Sequence, residues 1–386
     1  MSRGRLYLVY RICETARWGV MRLGDRAALC RVSCYSALTL RRFRGKSDVV
    51  KGNDGLSHMN PIKHALWMAL LLSACGGNPF LPPDDGSGNG PPGTEGGIRG
   101  AKDPITRSEK ITTTGNGYAV GIKLNSADDT FEVDGLAFDG GNVYQRGTTV
   151  SDIGPFQVYE GDSVYQDAVT GNNIDQLLYR AIYGVSDSGK TNFAIVRTGS
   201  YVPYGFGGFI YNRTGPVTLP TSGQAGYEGE YAGLRDFNGI GGLEYVSGHM
   251  TMAIDFKDFN NGAGVKGTIS DRHIFDIDNN DITSVVMDAI NTKFSTSLDT
   301  TAMPLLEFTI GNSLKGSGEA SGGITSLAGS NPLEKGTYYA LIADTDAINA
   351  GEVVGVIVVE SDDARVGFEN VTTRETGGFI LLRGSE

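Results

Sequence analysis

Met250-Thr-Met-Ala-Ile-Asp-Phe256, followed by Val265-Lys-Gly-Thr-Ile-Ser270, decides the fold class. In the first run every second residue is apolar, the period of a strand with one face buried and the other wet. The same pattern spreads outward along the chain. Thr130-Phe-Glu-Val-Asp134, Phe156-Gln-Val-Tyr159, Leu177-Leu-Tyr-Arg-Ala-Ile-Tyr183, Phe193-Ala-Ile-Val-Arg197 and Phe209-Ile-Tyr211 are short, β-branched or aromatic, and bounded by Gly, Asn and Asp. The chain is therefore expected to be all-β, with a β-rich domain over 101–221 and a second over 222–386. One segment differs. Ile282, Val285, Val286, Ala289, Ile290 and Phe294 recur at helical spacing, with Asp281 placed to cap the start and Lys293 near the end. That spacing predicts one short amphipathic helix, lying on a sheet or plugging a barrel end.

Further motifs order the second half. Tyr227-Glu-Gly-Glu-Tyr-Ala-Gly233 carries a G-x-[WY]-x-G pattern, and the Met250 and Val265 runs form a hairpin behind it. Leu306-Glu-Phe-Thr-Ile310 and Gly316-Ser-Gly-Glu-Ala-Ser321 make a next pair, followed by Gly336-Thr-Tyr-Tyr-Ala340, Ala347, Glu352 and Gly355-Val-Ile-Val. Glu375-Thr-Gly-Gly-Phe-Ile-Leu-Leu-Arg383 closes the chain. In this order the segments over 222–386 resemble the lipoprotein barrel of the transferrin-binding protein B family. The resemblance implies a small eight-stranded antiparallel β-barrel with a filled interior. It also implies that residues 101–221 form the family's handle domain. The sequence departs from the family pattern at Tyr231, where Trp is usual, and at Ala340, where Gly is common, and it has one barrel unit rather than two lobes. The barrel is accordingly expected to be a scaffold for another binding surface.

Upstream, Met59-Asn-Pro-Ile-Lys-His-Ala-Leu-Trp-Met-Ala-Leu-Leu-Leu-Ser-Ala-Cys75 has the layout of a secretory signal: Lys63, an apolar core from Ala65 to Leu72, then small residues. The core is too short to span a bilayer. Leu72, Ser73, Ala74 and Cys75 resemble a lipobox, in which cleavage after Ala74 leaves Cys75 as an acylated first residue. A cysteine that follows a short buried helix by chance is the alternative. A signal at 59–74 implies that residues 1–58 are a mis-assigned, disordered extension, with a leader or a basic nucleic-acid arm as competing readings. Gly76–Gly100, with nine Gly and five Pro, reads as a tether following Cys75. As a flexible coil its ends would lie roughly 25–30 Å apart. Gly76, rather than Asp, after the cysteine points to the outer membrane.

Charge and cysteine usage agree with export. The whole chain carries a formal net charge of −11, yet its first 58 residues are basic. From Cys75 onward 40 acidic residues face 20 basic ones, which opposes binding to nucleic acid or anionic lipid. Cys13, Cys30, Cys34 and Cys75 are the four cysteines, so no disulfide, zinc finger or cysteine nucleophile is expected beyond Cys75.

Several motifs point elsewhere. Gly184-Val-Ser-Asp-Ser-Gly-Lys-Thr191 satisfies the phosphate-loop pattern, but a strand follows it where a helix is required, so two strands joined by a turn are expected and no nucleotide. Asp276-Ile-Asp-Asn-Asn-Asp281 begins like a calcium loop but has Asp281 in place of the sixth-position Gly and Met287 in place of the terminal Glu. A helix-capping loop is the plainer reading, and an irregular calcium site the other. Only His249 and His273 follow Cys75, and no G-x-S-x-G or H-E-x-x-H motif exists, so no catalytic residue, cofactor or metal ligand is assigned. Buried, converging carboxylates would favour a glycoside hydrolase. The sequons at Asn212 and Asn370 carry little weight. Tyr201, Tyr204, Phe206 and Phe209 read as core of the first β domain, with a contact patch as the alternative. The resulting expectation is a surface lipoprotein held in the membrane by its lipid. It would bind an extracellular protein or small ligand, with nutrient or metal acquisition implied by the resemblance. A structural or adhesion role is the alternative, and an extracellular hydrolase a third.

Overall fold

The computed structural model describes residues 7–11, 18–22, 91, 93–96, 99–111, 118–136, 143–161, 165–166, 169–171, 173–174, 179–198, 205–257, 264–309 and 313–384. The chain divides into two units, Met1–Cys75 and Gly76–Glu386. In the first, β1 (Tyr7–Arg11) and β2 (Trp18–Arg22) pair as an antiparallel hairpin.

The second unit holds two large sheets. One comprises β3 (Thr94–Glu95), β4 (Ile105–Glu109), β5 (Gly121–Asn125), β6 (Thr130–Asp134), β7 (Val143–Arg146), β8 (Asp152–Ile153), β9 (Phe156–Gly161), β12 (Arg180–Val185), β13 (Thr191–Arg197) and β14 (Gly207–Arg213). Its order is β3-β4-β14-β13-β12-β9-β7-β6-β5, with β8 also on β9. Thus Thr94–Glu95, inside the Gly/Pro-rich stretch, pairs with β4. A separate pair joins β10 (Tyr165–Gln166) to β11 (Asn173–Ile174).

The other sheet contains β15 (Gln224–Asn238), β16 (Glu244–Asp255), β17 (Val265–Phe275), β18 (Leu306–Phe308), β19 (Ser313–Leu314), β20 (Glu319–Ala328), β21 (Asn331–Ala343), β22 (Glu352–Asp362) and β23 (Thr372–Arg383). It runs β18-β17-β16-β15-β23-β22-β21-β20, and β18 also pairs with β20, so eight antiparallel strands close into a barrel with β19 lying beside β20. β18 is the weak stave. It is three residues long and holds only two residue pairs on each side, Thr268 and Ile269 to one flank, Ile324 and Thr325 to the other. Gly316 and Gly318, expected in a strand, instead form the turn that precedes β20, with Gly318 at φ +85°.

Alternation sorts these strands into layers. Tyr227, Tyr231, Met250, Met252, Ile254, Ile269, Ile324, Tyr338, Ile357 and Phe379 point into the barrel and form its filled interior. The intervening residues Ala232, Leu234, Tyr245, Leu341, Val354 and Val356 point outward, where Phe156, Ile182, Phe193, Ile195 and Phe209 of the first sheet cover them. The opposite face of that first sheet has its own cluster, including Phe131, Tyr144, Tyr159 and Tyr183. Phe209 is buried and Phe206 packs against this cluster, which places both in core.

Helix α1 (Thr283–Phe294) inserts Val286, Met287 and Ile290 into the barrel-interior cluster. Its N-cap is Ile282, without a side-chain cap bond; Asp281 lies one residue earlier, and its Oδ1 accepts from the Thr283 amide at 2.8 Å. Ser295 ends the helix in the left-handed region, and Lys293 donates to the Asp362 carbonyl at 3.1 Å, tying the last turn to β22.

Candidate functional site

The two barrel ends differ. At the end beneath α1, a bulge controls the chemistry. Ser247 faces His273 and His249 faces Ser270, so Asp271 and Arg272 share one partner position, with Asp271 at φ +52°. The extra residue flips the alternation and turns Arg272 inward. Gly248 makes room for it, since a Cβ there would sit 3.0 Å from the Arg272 Cγ.

Arg272 is 0% exposed and reaches Glu334, which is 4% exposed, at 2.5 Å, and Glu375, 2% exposed, at 3.0 Å. Tyr231 donates its hydroxyl to Glu375 at 2.8 Å, and Ser326 donates to Glu334 at 2.5 Å. Burial opposes the Glu334 charge, but Arg272 and the Ser326 hydroxyl outweigh it and hold the carboxyl below the usual range. Burial equally opposes the Arg272 charge, and the two carboxylates overcome it, raising its affinity for the proton. A second chain continues outward: Arg235 donates to Glu244 at 2.6 Å, Glu244 binds Arg365, and Arg365 binds Asp363 at 2.7 Å. Glu334 and Glu375 are thus buried, converging carboxylates, the feature a glycoside hydrolase needs. Both, however, are neutralised by the same guanidinium, which makes them a structural ion cluster rather than an acid and a nucleophile.

The opposite end is open on its flank. A groove of about 750 Å³ runs along β15, β16, β17 and β18, reaching Arg383 and Gly384. Its outward row runs Glu228, Thr251, Thr268 and Glu307 across four strands in register. Thr251 and Thr268 share a hydroxyl bond of 3.0 Å, and Lys266 and Arg383 also line the groove. At its edge Phe308 stacks on Tyr338, with centroids 3.9 Å apart and planes 14° apart. Burial raises the Tyr338 hydroxyl pKa, and among the described residues that hydroxyl has no hydrogen-bond partner. Tyr227, by contrast, donates to the Ala350 carbonyl at 2.8 Å, with burial pushing its pKa to about 12.

The phosphate-loop look-alike has another use. β12 and β13 are joined by a turn with Gly189 at φ +65°, and the hydroxyls of Ser186, Ser188 and Thr191 all donate to the Glu352 carboxylate at 2.9–3.1 Å. Lys190 reaches Asp346 at 2.5 Å. Side chains of this turn therefore clasp the start of β22. Ion pairs also bridge the sheets, Arg107 to Glu319 at 2.7 Å and Arg197 to Asp236 at 3.7 Å, while Arg374 pairs with Asp236 within the barrel and Arg197 with Glu109 within the first sheet.

The calcium-like run is a capped loop. Asp276 Oδ1 accepts from the amides of Asp278 and Asn280, both at 2.9 Å, and its side chain is held below the usual carboxylate range by the bonds to Asn280. His273 lies between Asp271 at 3.4 Å and Asp281 at 3.3 Å, while His249 faces Glu230 at 3.4 Å, so the two histidines do not share a site. Among the described residues no group of three or more His, Cys, Asp or Glu is arranged to hold a metal. Leu72, Ser73, Ala74 and Cys75 lie outside the described residues, as do Tyr201 and Tyr204. Sequence reasoning missed Arg272, Glu334, Phe308 and Tyr338. The only signal was Gly336-Thr-Tyr-Tyr, which places Tyr338 in a strand but not beneath a seam.

No family model matches the chain, and no curated protein matches it. Among solved structures, a Trp-176-Ala mutant of the vaccine antigen transferrin-binding protein B from Haemophilus parasuis aligns at TM-score 0.36 and 10% identity. It covers 74% of this chain and 46% of its own length. Intact transferrin-binding protein B with N and C lobes aligns at TM-score 0.32 and 12% identity, covering 74% of this chain and 47% of that one. A surface lipoprotein aligns at 0.27 and 11%, covering 52% and 80%. The chain thus spans about half the length of the transferrin-binding proteins it aligns with. Likeness at such TM-scores says nothing about function, and the fold rests on the strand pairings themselves.

Proposed function

We propose that this protein is a surface-displayed lipoprotein of the outer membrane, anchored through a diacylated Cys75, which binds an extracellular protein or small ligand beside the open end of its barrel. The observation that carries the binding role is the groove over β15–β18, set at the weak stave of a barrel whose other end is filled by α1 and buried ion pairs. Anchoring is supported by Lys63, the apolar run to Leu72 and the small residues before Cys75. Nutrient or metal acquisition is the physiological setting the reading favours, and no enzyme chemistry is assigned. Palmitate labelling of wild type beside Cys75→Ser, with protease shaving of intact cells, tests it. Labelling lost in the variant and cleavage of the wild type on cells are expected. Undiminished labelling of Cys75→Ser, or a protein resistant to shaving in cells yet cleaved after lysis, would overturn the anchor or the display.

A further inference from the structure

Phe308 occupies a place shaped for a flat ring. Its ring is sandwiched between Gly267 and Tyr338: a Cβ on Gly267 would lie 2.9 Å from the Phe308 Cε2, and the Tyr338 ring is stacked behind it. Tyr338 is 0% exposed, whereas Phe308 is only partly buried and borders the groove. Among the described residues the Tyr338 hydroxyl is a buried donor with no acceptor, an arrangement that costs stability unless something else satisfies it. The wall is also weakest here, since β18 is held by two residue pairs on each side. Beyond it, the Thr309 amide donates to the Gly323 carbonyl at 2.9 Å, which holds the backbone on β20 independently of the Phe308 side chain.

We propose that this seam is the entrance to a slot for a small, neutral, planar aromatic ligand bearing a hydrogen-bond acceptor, and that Phe308 fills the slot until such a ring displaces it. The ligand ring takes the stacked position on Tyr338, its acceptor receives the Tyr338 hydroxyl, and the rest of the molecule lies in the groove. Glu228, Glu307, Lys266 and Arg383 balance in charge along the rim, which favours a neutral ligand over an ion. The buried hydrogen bond supplies affinity that the closed form leaves unused, while the ligand ring replaces the stacking of Phe308.

The inference rests on the binding role proposed above and names its ligand class. The test is a fluorescence titration of the full chain with 2-naphthol, in wild type, Phe308→Ala and the double variant Phe308→Ala, Tyr338→Phe. Removing Phe308 should tighten 2-naphthol binding roughly tenfold, and removing the hydroxyl should return about fivefold of that gain. Unchanged binding in Phe308→Ala, or a gain kept in full by the double variant, overturns the slot. Should Phe308→Ala not fold, Phe308→Leu should show the same order with a smaller gain, and its absence is equally fatal. Thermal unfolding of Tyr338→Phe alone supplies an independent arm. An unchanged or higher Tm is expected, and a lower one would show that the hydroxyl already has a partner. A protein that labels at Cys75 and is shaved from cells but ignores 2-naphthol loses the slot and keeps its anchor.

Discussion

The two ends of the barrel solve the same problem in opposite ways. Beneath α1, the interior is closed by a helix and by paired charges, Arg272 with Glu334 and Glu375, with the Arg272 Nε left without a partner among the described residues. At the other end the interior is aromatic, a three-residue stave completes the wall, and a buried hydroxyl goes unmet. A buried ion cluster stabilises only while complete, because each member removed leaves a charge without solvent or partner. An aromatic interior behind a thin wall tolerates rearrangement, because stacked rings exchange for other rings at small cost.

The largest effects should come from breaking the charged end. Arg272→Ala leaves two carboxylates buried and should cost about 3–5 kcal/mol in urea unfolding. Deleting Asp271 should cost much less, since it removes the bulge but leaves Arg272 two residues from Ile269 and still facing inward. A loss below about 1 kcal/mol in Arg272→Ala would show that the cluster is dispensable and the contrast between the ends unfounded. Met287→Ala, which removes buried volume from the helix plug, should cost about 2–4 kcal/mol in the same assay. Glu352→Ala should cost about 2 kcal/mol and speed amide exchange across Ser186–Thr191, because three hydroxyls lose a charged acceptor together; protection that does not change would show that the clasp holds nothing in place.

Acid titration sharpens the comparison most gently. Glu334 has a folded pKa below the 4.5 of a free glutamate. Below that value the unfolded chain therefore binds the proton more readily than the folded one. The stabilisation from Glu334 is present above pH 4.5 and is lost as pH falls through the folded value. A Tm profile should be flat above about pH 5 and fall below about pH 4.5, with a shallower fall in Glu334→Gln. The same shallow slope in both proteins would assign the acid loss to other carboxylates.

Much of the architecture was legible because local patterning and tertiary burial agree. Thr130–Asp134 and Phe193–Arg197 read as strands and pair as strands, and the run from Ile282 to Phe294 holds the helix within one residue. The turn at Ser186–Lys190 was legible too, since a strand follows it where a phosphate loop needs a helix. The site was not legible. Arg272 falls where simple alternation from Ile269 would point it to solvent, and only the αL conformation of Asp271 reverses it. Leu306-Glu-Phe-Thr-Ile310 reads as an ordinary strand, yet among its described residues the strand covers only Leu306–Phe308. Its contact with Tyr338 joins residues far apart in sequence, and nothing local encodes it.

The sequence by itself determined the β class, the strand periodicity and the helix that covers Thr283–Phe294, because backbone preference and residue type are local properties. Only the tertiary structure decided that eight strands close, that Arg272 gathers two distant glutamates, and that Phe308 stacks on Tyr338. Ring closure, bulges and stacking depend on which faces meet, and that is settled by burial of the whole sheet at once.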